Sequence, residues 1–222
     1  MSMQYLSQFE SIGDNCEFGL MQHAHGIYDG GLLKWSKIND VEHLIELLKN
    51  DFRHAFRYEN LAPVHDDMVI DLRSQILFHS KLGSTSHGGV RIWNERRESD
   101  RRTIFNKEQA KHKHLLRKFR DTAARGQRIF IFKSNDGLTQ RQEERLLLAL
   151  RTLGPARLMI VEKAENCQAI GRVELLSEGF MKGYIERFAP YGEADKCVPG
   201  AWERLCEKAL RIVNEPNLCM VG

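Results

Sequence analysis

Acyl transfer by a thiol needs a sulfur, an imidazole to take its proton, and a carboxylate or carboxamide to hold that imidazole in one tautomer. The residues predicted to supply the set are Cys16, His79, and Asp136 or Asn135. Cys16 lies in Ser11-Ile12-Gly13-Asp14-Asn15-Cys16-Glu17-Phe18-Gly19-Leu20. Residues 5–10 ahead of it alternate like a strand, and residues 18–23 behind it read as a helix. Gly13 permits a tight strand-to-helix turn, and Asp14 or Asn15 can cap the helix. Cys16 then falls in the first turn, where unpaired N–H groups and the helix dipole favour a negative charge. That placement predicts a depressed thiol pKa for Cys16 alone among the cysteines. The Asn15 side chain and the first-turn N–H groups would stabilise an oxyanion. Each residue also has an ordinary structural role open to it. Cys16 can be a small buried apolar residue, His79 a strand-end histidine, and Asp136-Gly137 a turn.

Composition narrows the class. The 222 residues suit one α/β domain with a C-terminal extension from about residue 178 packed on it. The formal charge of +3 is too small to imply nucleic-acid binding, and no apolar run reaches membrane-spanning length. With no basic-then-apolar leader, the chain is expected in the cytoplasm. Its five cysteines, Cys16, Cys167, Cys197, Cys206 and Cys219, include no CxxC pair, which points to reduced thiols. The histidines have no metal-ligand spacing, and neither G-x-x-x-x-G-K nor G-x-G-x-x-G occurs. No cofactor and no metal is predicted.

The elements that must position these residues alternate between strand and helix. Asn39 or Asp40 caps a helix over 41–49, and residues 68–72 and 75–79 form a hairpin turning at Arg73-Ser74. Residues 83–89 read as loop, 94–102 as a solvated charge run, and 107–125 as a long basic helix stopped by Gly126. Residues 128–132 and 157–161 are continuous apolar strands separated by a helix over 139–153, and 170–176 alternates like an edge strand. A last helix covers 201–213. Strands apolar on both faces, each followed by a helix, predict a three-layer α/β sandwich with a mostly parallel central sheet and a nucleophile turn after the first strand. The central strands should include 9–11, 129–132 and 158–161, parallel to one another.

Ligands bind outside the carboxyl ends of such strands. The turns 13–16, 133–137 and 162–166 fall on that edge, and His79 ends another strand. Within 75–79 the pleat puts His79 on one face with Leu77 and Gln75, and Ile76 and Phe78 on the other.

The run from Ser11 to Gly19 resembles the opening signature of a bacterial family labelled papain-like cysteine peptidases, a domain of unknown function often found beside glycosyltransferase or methyltransferase domains. The likeness continues through Gly31-Leu32-Leu33-Lys34-Trp35, where many members carry Phe-Asp-Trp or a similar Leu-Leu-Arg-aromatic motif, through Val69–Arg73 to Phe78-His79, through the strand Ile129–Phe132, and through Gly183–Tyr191. The resemblance implies Cys16 as nucleophile and His79 as base, with Asp71, Asn135 and Asp136 competing for the third place. Asp14, Asn15, Trp35, Asp71, Arg73 and Asn135 are then expected to contact substrate. The strand pattern favours an esterase-like or acyltransferase layout over a papain fold. The function expected is a thiol-dependent hydrolase or acyltransferase of surface-polysaccharide or glycoconjugate metabolism. The alternative is a noncatalytic sugar- or partner-binding module beside a glycosyltransferase, using Trp35, Trp93 and the basic helix.

Overall fold

Ile129-Phe130-Ile131-Phe132 and Leu158-Met159-Ile160-Val161 bury every side chain, which a strand achieves only when both faces of its sheet are covered. In the computed structural model, which describes residues 3–215, they form β8 (Ile129–Lys133) and β9 (Arg157–Lys163). Together with β1 (Phe9–Ser11), β10 (Val173–Ser177) and β11 (Phe180–Ile185) they make a five-stranded sheet of order β1-β8-β9-β11-β10. The first four strands in that order run parallel, as predicted for 9–11, 129–132 and 158–161, and β10 closes the edge antiparallel.

The pleat sorts the core into two clusters. Phe130, Phe132, Leu158, Ile160 and Phe180 pack with α2 (Val41–Lys49), α3 (Glu98–Arg125) and α4 (Gln140–Arg151). Ile129, Ile131, Met159, Val161 and Met181 pack with α1 (Glu17–Ala24) and α5 (Ala201–Asn214). Capping agrees with the sequence pattern. Asp40 accepts from Glu42 N–H at 2.9 Å, and Thr139 forms a capping box with Gln142.

A second, antiparallel sheet has the order β2-β5-β4-β3, from β2 (Ser36–Lys37), β3 (Leu61–His65), β4 (Met68–Asp71) and β5 (Ile76–His79). The expected 68–79 hairpin is present, and its turn is held by Asp71. The fully buried Asp71 carboxylate accepts from the N–H groups of Phe56 (2.7 Å) and Arg73 (3.0 Å). A surface hairpin, β6 (Ser84–His87) and β7 (Val90–Trp93), lies beside it.

Four elements differ from the sequence expectation. Residues 5–8, read as part of a strand, belong to a 3-10 helix (Met3–Gln8), and only 9–11 pair with β8. Residues 84–87 form a strand instead of loop, because backbone pairing to β7 across Gly88-Gly89 needs no apolar alternation. The helix expected from 107 begins at Glu98, taking in part of the charge run, with Glu98 and Asp100 complementing the dipole in its first turn. Residues 180–185 enter the interior of the main sheet between β9 and β10, so the segment after 178 supplies core strand as well as the buried Trp202. Among the described residues no helix is long and apolar enough to cross a membrane.

Candidate functional site

The chain leaves β1 at Ser11 and turns at Gly13 into α1, putting Cys16 at the carboxyl edge of the parallel sheet, at the N-cap position of the helix. Gly13 has φ of 121°, and a Cβ there would stand 2.6 Å from Ile38 Cδ1, so only glycine fits. The turn is tied to β8 by Asp14 N–H to the Lys133 carbonyl (3.0 Å) and to the second sheet by Ile38 N–H to the Asp14 carbonyl (2.7 Å). Gly19 serves a related need, because a Cβ there would meet Lys34 Cγ at 2.8 Å.

These ties bring Cys16 to His79, 63 positions away. Cys16 Sγ lies 3.9 Å from His79 Nε2, within sulfur hydrogen-bond reach. The other imidazole nitrogen, Nδ1, is 2.9 Å from Asp67 Oδ2. A carboxylate can only accept, so Nδ1 carries a proton, and in the neutral ring Nε2 then presents its lone pair toward the thiol. That is the tautomer a general base requires.

The orienting carboxylate is therefore Asp67 and not Asp136. Asp136 is exposed in the turn after β8 and makes no hydrogen bond to His79. Asp71 and Arg73 do not reach the thiol either. Asp71 is spent on the hairpin turn, and Arg73 sits at the opposite end of β5 from His79. Asp67 carried a signal in the strand register. Met68 pairs with His79, so the residue before Met68 must lie beside that imidazole.

Asp14, Asn135 and Glu17 converge on a residue the motif did not point to. Lys133, with no exposed surface, ends β8 and places Nζ 3.1 Å from Asp14 Oδ1, 3.2 Å from Glu17 Oε2 and 2.7 Å from Asn135 Oδ1. Tyr191 O–H donates to Asp14 Oδ2 (2.7 Å), and Trp202 Nε1–H donates to Glu17 Oε1 (3.0 Å). Burial and the Asp14 carboxylate together push the Tyr191 hydroxyl well above its ordinary pKa. A buried cation held by two carboxylates and an amide carbonyl leaves few of their polar atoms unpaired. Asp14 and Asn135 thus belong to this sealed network, which ties the Gly13–Cys16 turn to the segment around 189–202.

The N-cap residue is Cys16, whose side chain makes no cap bond, and not the expected Asp14 or Asn15; Asn15, one residue earlier, still bonds the first helical N–H. Its Oδ1 accepts from Glu17 N–H at 2.9 Å, while its buried Nδ2 has no hydrogen-bond partner. An unpartnered buried donor costs stability.

The thiol itself corrects an expectation. Burial, then repulsion from Asp67, raise the Cys16 pKa from 9.0 to about 11, against an opposing pull from Lys133. Helix-end position does not offset lost hydration here. The thiols of Cys197 and Cys206 are likewise raised by burial, and Cys219 lies outside the described residues.

Beyond His79 opens a groove of about 830 Å³. Trp35 lines it beside His79, as the Ser36–Phe78 pairing dictates. The protein matches no family model, no curated protein and no solved structure.

Proposed function

We propose that the protein is a thiol-dependent hydrolase or acyltransferase, with Cys16 as nucleophile, His79 as general base and Asp67 as the residue that orients His79. The observation that carries this is the line Sγ to Nε2 at 3.9 Å and Nδ1 to Asp67 at 2.9 Å, at the end of a parallel strand. In fold terms this is a three-layer α/β sandwich with its nucleophile turn after the first strand, which favours the esterase-like layout. With the thiol protonated at neutral pH, the proton leaves as the bond forms. Sγ attacks the acyl carbonyl carbon while Nε2 takes the thiol proton. The carbonyl oxygen gains the negative charge, with Asn15 Nδ2 as a candidate donor to it. The tetrahedral adduct collapses, the leaving group departs with the proton from Nε2, and an S-acyl enzyme remains. Water, deprotonated by Nε2, or another acceptor nucleophile then releases the acyl group and restores the thiol.

The likeness to the peptidase-labelled bacterial family supports a setting in surface-polysaccharide or glycoconjugate metabolism, in the cytoplasm and beside a glycosyltransferase. A second reading, a noncatalytic sugar- or partner-binding module, is favoured by Trp35 in the groove wall and by the raised thiol pKa. Incubation with p-nitrophenyl acetate separates the two. Intact-mass analysis should find an acetyl adduct on Cys16, absent in Cys16→Ala and slow to form in His79→Ala. A wild-type protein that never acquires the adduct would be the binding module.

A further inference from the structure

The groove that starts at Asp67 and His79 runs between β5 and one face of α3. Its floor is apolar: Leu32, Phe56 and Phe78 are buried there, and Ile104 and Leu115 are half-buried beside them. His112 adds an aromatic wall, stacked on Phe56 at 4.8 Å between ring centres. Burial lowers its pKa to about 4, so it stays uncharged at neutral pH. The size lies within the range of about 300–1,000 Å³ that small-molecule sites occupy.

The rim has the opposite character. Lys81, Lys107 and Lys111 line it and are exposed. Ion pairs of lysine elsewhere involve Lys49, Lys118, Lys133, Lys182 and Lys196. These three lysines have none among the described residues. The rim carboxylates are already engaged: Glu108 accepts from Ser80 O–H (2.7 Å) and Lys81 N–H (2.6 Å), and Asp67 holds His79. Three lysines against the two carboxylates Asp67 and Glu108 leave the groove net positive above its apolar floor, with the lysines lacking an ion-pair partner among the described residues.

Resting on the thiol reading above, we propose that this groove takes the substrate: an acyl donor with an aliphatic chain along α3 and an anionic group on Lys81, Lys107 and Lys111. An apolar floor gains from the chain what it could not gain from a polar sugar, and unpaired ammonium groups select an anion over a cation. Cys16 itself does not line the groove, so the proposal places the carbonyl at its His79 end, the lining residue whose Nε2 lies 3.9 Å from Sγ.

The test uses the Cys16→Ala protein, which keeps the groove, and measures dodecanoate binding by equilibrium dialysis against dodecyltrimethylammonium and acetate. Dodecanoate should bind at least about tenfold more tightly than the cation of equal chain length, and acetate should not bind measurably. Lys107→Glu with Lys111→Glu should reverse that preference. Leu115→Gln, checked for folding by circular dichroism, should weaken both long-chain probes by about tenfold. No dodecanoate binding, or binding indifferent to both sets of substitutions, overturns the proposal. Acetylation of Cys16 by p-nitrophenyl acetate in the wild type is read alongside. Acetylation without dodecanoate binding removes the groove assignment alone. Dodecanoate binding without acetylation removes the thiol reading, and the acyl-donor assignment falls with it.

Discussion

Two charged groups flank Cys16, and they are built to opposite designs. On the sheet side, Lys133, Asp14 and Glu17 are each at most 2% exposed and ion-paired through Lys133. On the groove side, the His79 and Asp67 side chains are 44% and 72% exposed. The charges of this group are buried against one another, so its value is structural: it fixes where the Gly13–Cys16 turn sits. The open group contributes little to stability, because solvent screens an exposed pair. What it can do is accept a proton. In the proposed reaction, a nucleophile set between a rigid anchor and an accessible base would combine positioning with turnover.

The widest expected effect probes how Cys16 feels both groups. With its pKa raised to about 11 by burial and by Asp67, the thiolate fraction grows as pH rises toward that value. Iodoacetamide labelling of Cys16 should accelerate about tenfold per pH unit, roughly 10⁴-fold from pH 7 to 11. A plateau already reached near pH 8 would mean that a preformed thiolate–imidazolium pair, and not a neutral one, occupies the open side.

Removing the base should come next in size. His79→Ala should slow acetylation of Cys16 by p-nitrophenyl acetate by about 10²–10⁴-fold, as loss of a general base does. Its folding stability in urea should move by less than about 0.5 kcal/mol, since the side chain is at the surface. A large stability loss with unchanged acetylation would invert the division of labour between the two sides.

The sealed side is tested by Lys133→Met. Two carboxylates would then be buried without their cation, and stability measured in urea should fall by about 3–5 kcal/mol. Little change in the unfolding midpoint would show that the network is not sealed. The smallest effect belongs to Asp67→Asn. The substitution keeps the shape but removes the charge that fixes the imidazole tautomer. Exposure limits the cost, so acetylation should slow by only about tenfold. A loss as large as that of His79→Ala would mean that Asp67 acts in a site closed to solvent.

The sequence by itself determined the parallel strands and their helices. Ile129–Phe132 and Leu158–Val161 are apolar without interruption, and Thr139 with Gln142 is a local cap, so composition and spacing suffice. It also singled out Cys16 and His79, because a Gly-Asp-Asn-Cys turn and a strand-end histidine are local features. Asp67 was legible only once strand register was read, since nothing in His65-Asp66-Asp67 differs from an ordinary polar turn. The raised thiol pKa and the role of Lys133 were decided by the tertiary structure alone. Desolvation depends on everything packed around a group, and a lysine ending an apolar strand looks solvent-bound until the segment around 189–202 covers it. Asp136 failed as the third residue for the same reason: being close along the chain to a convergent edge does not fix which carboxylate faces an imidazole carried by another sheet.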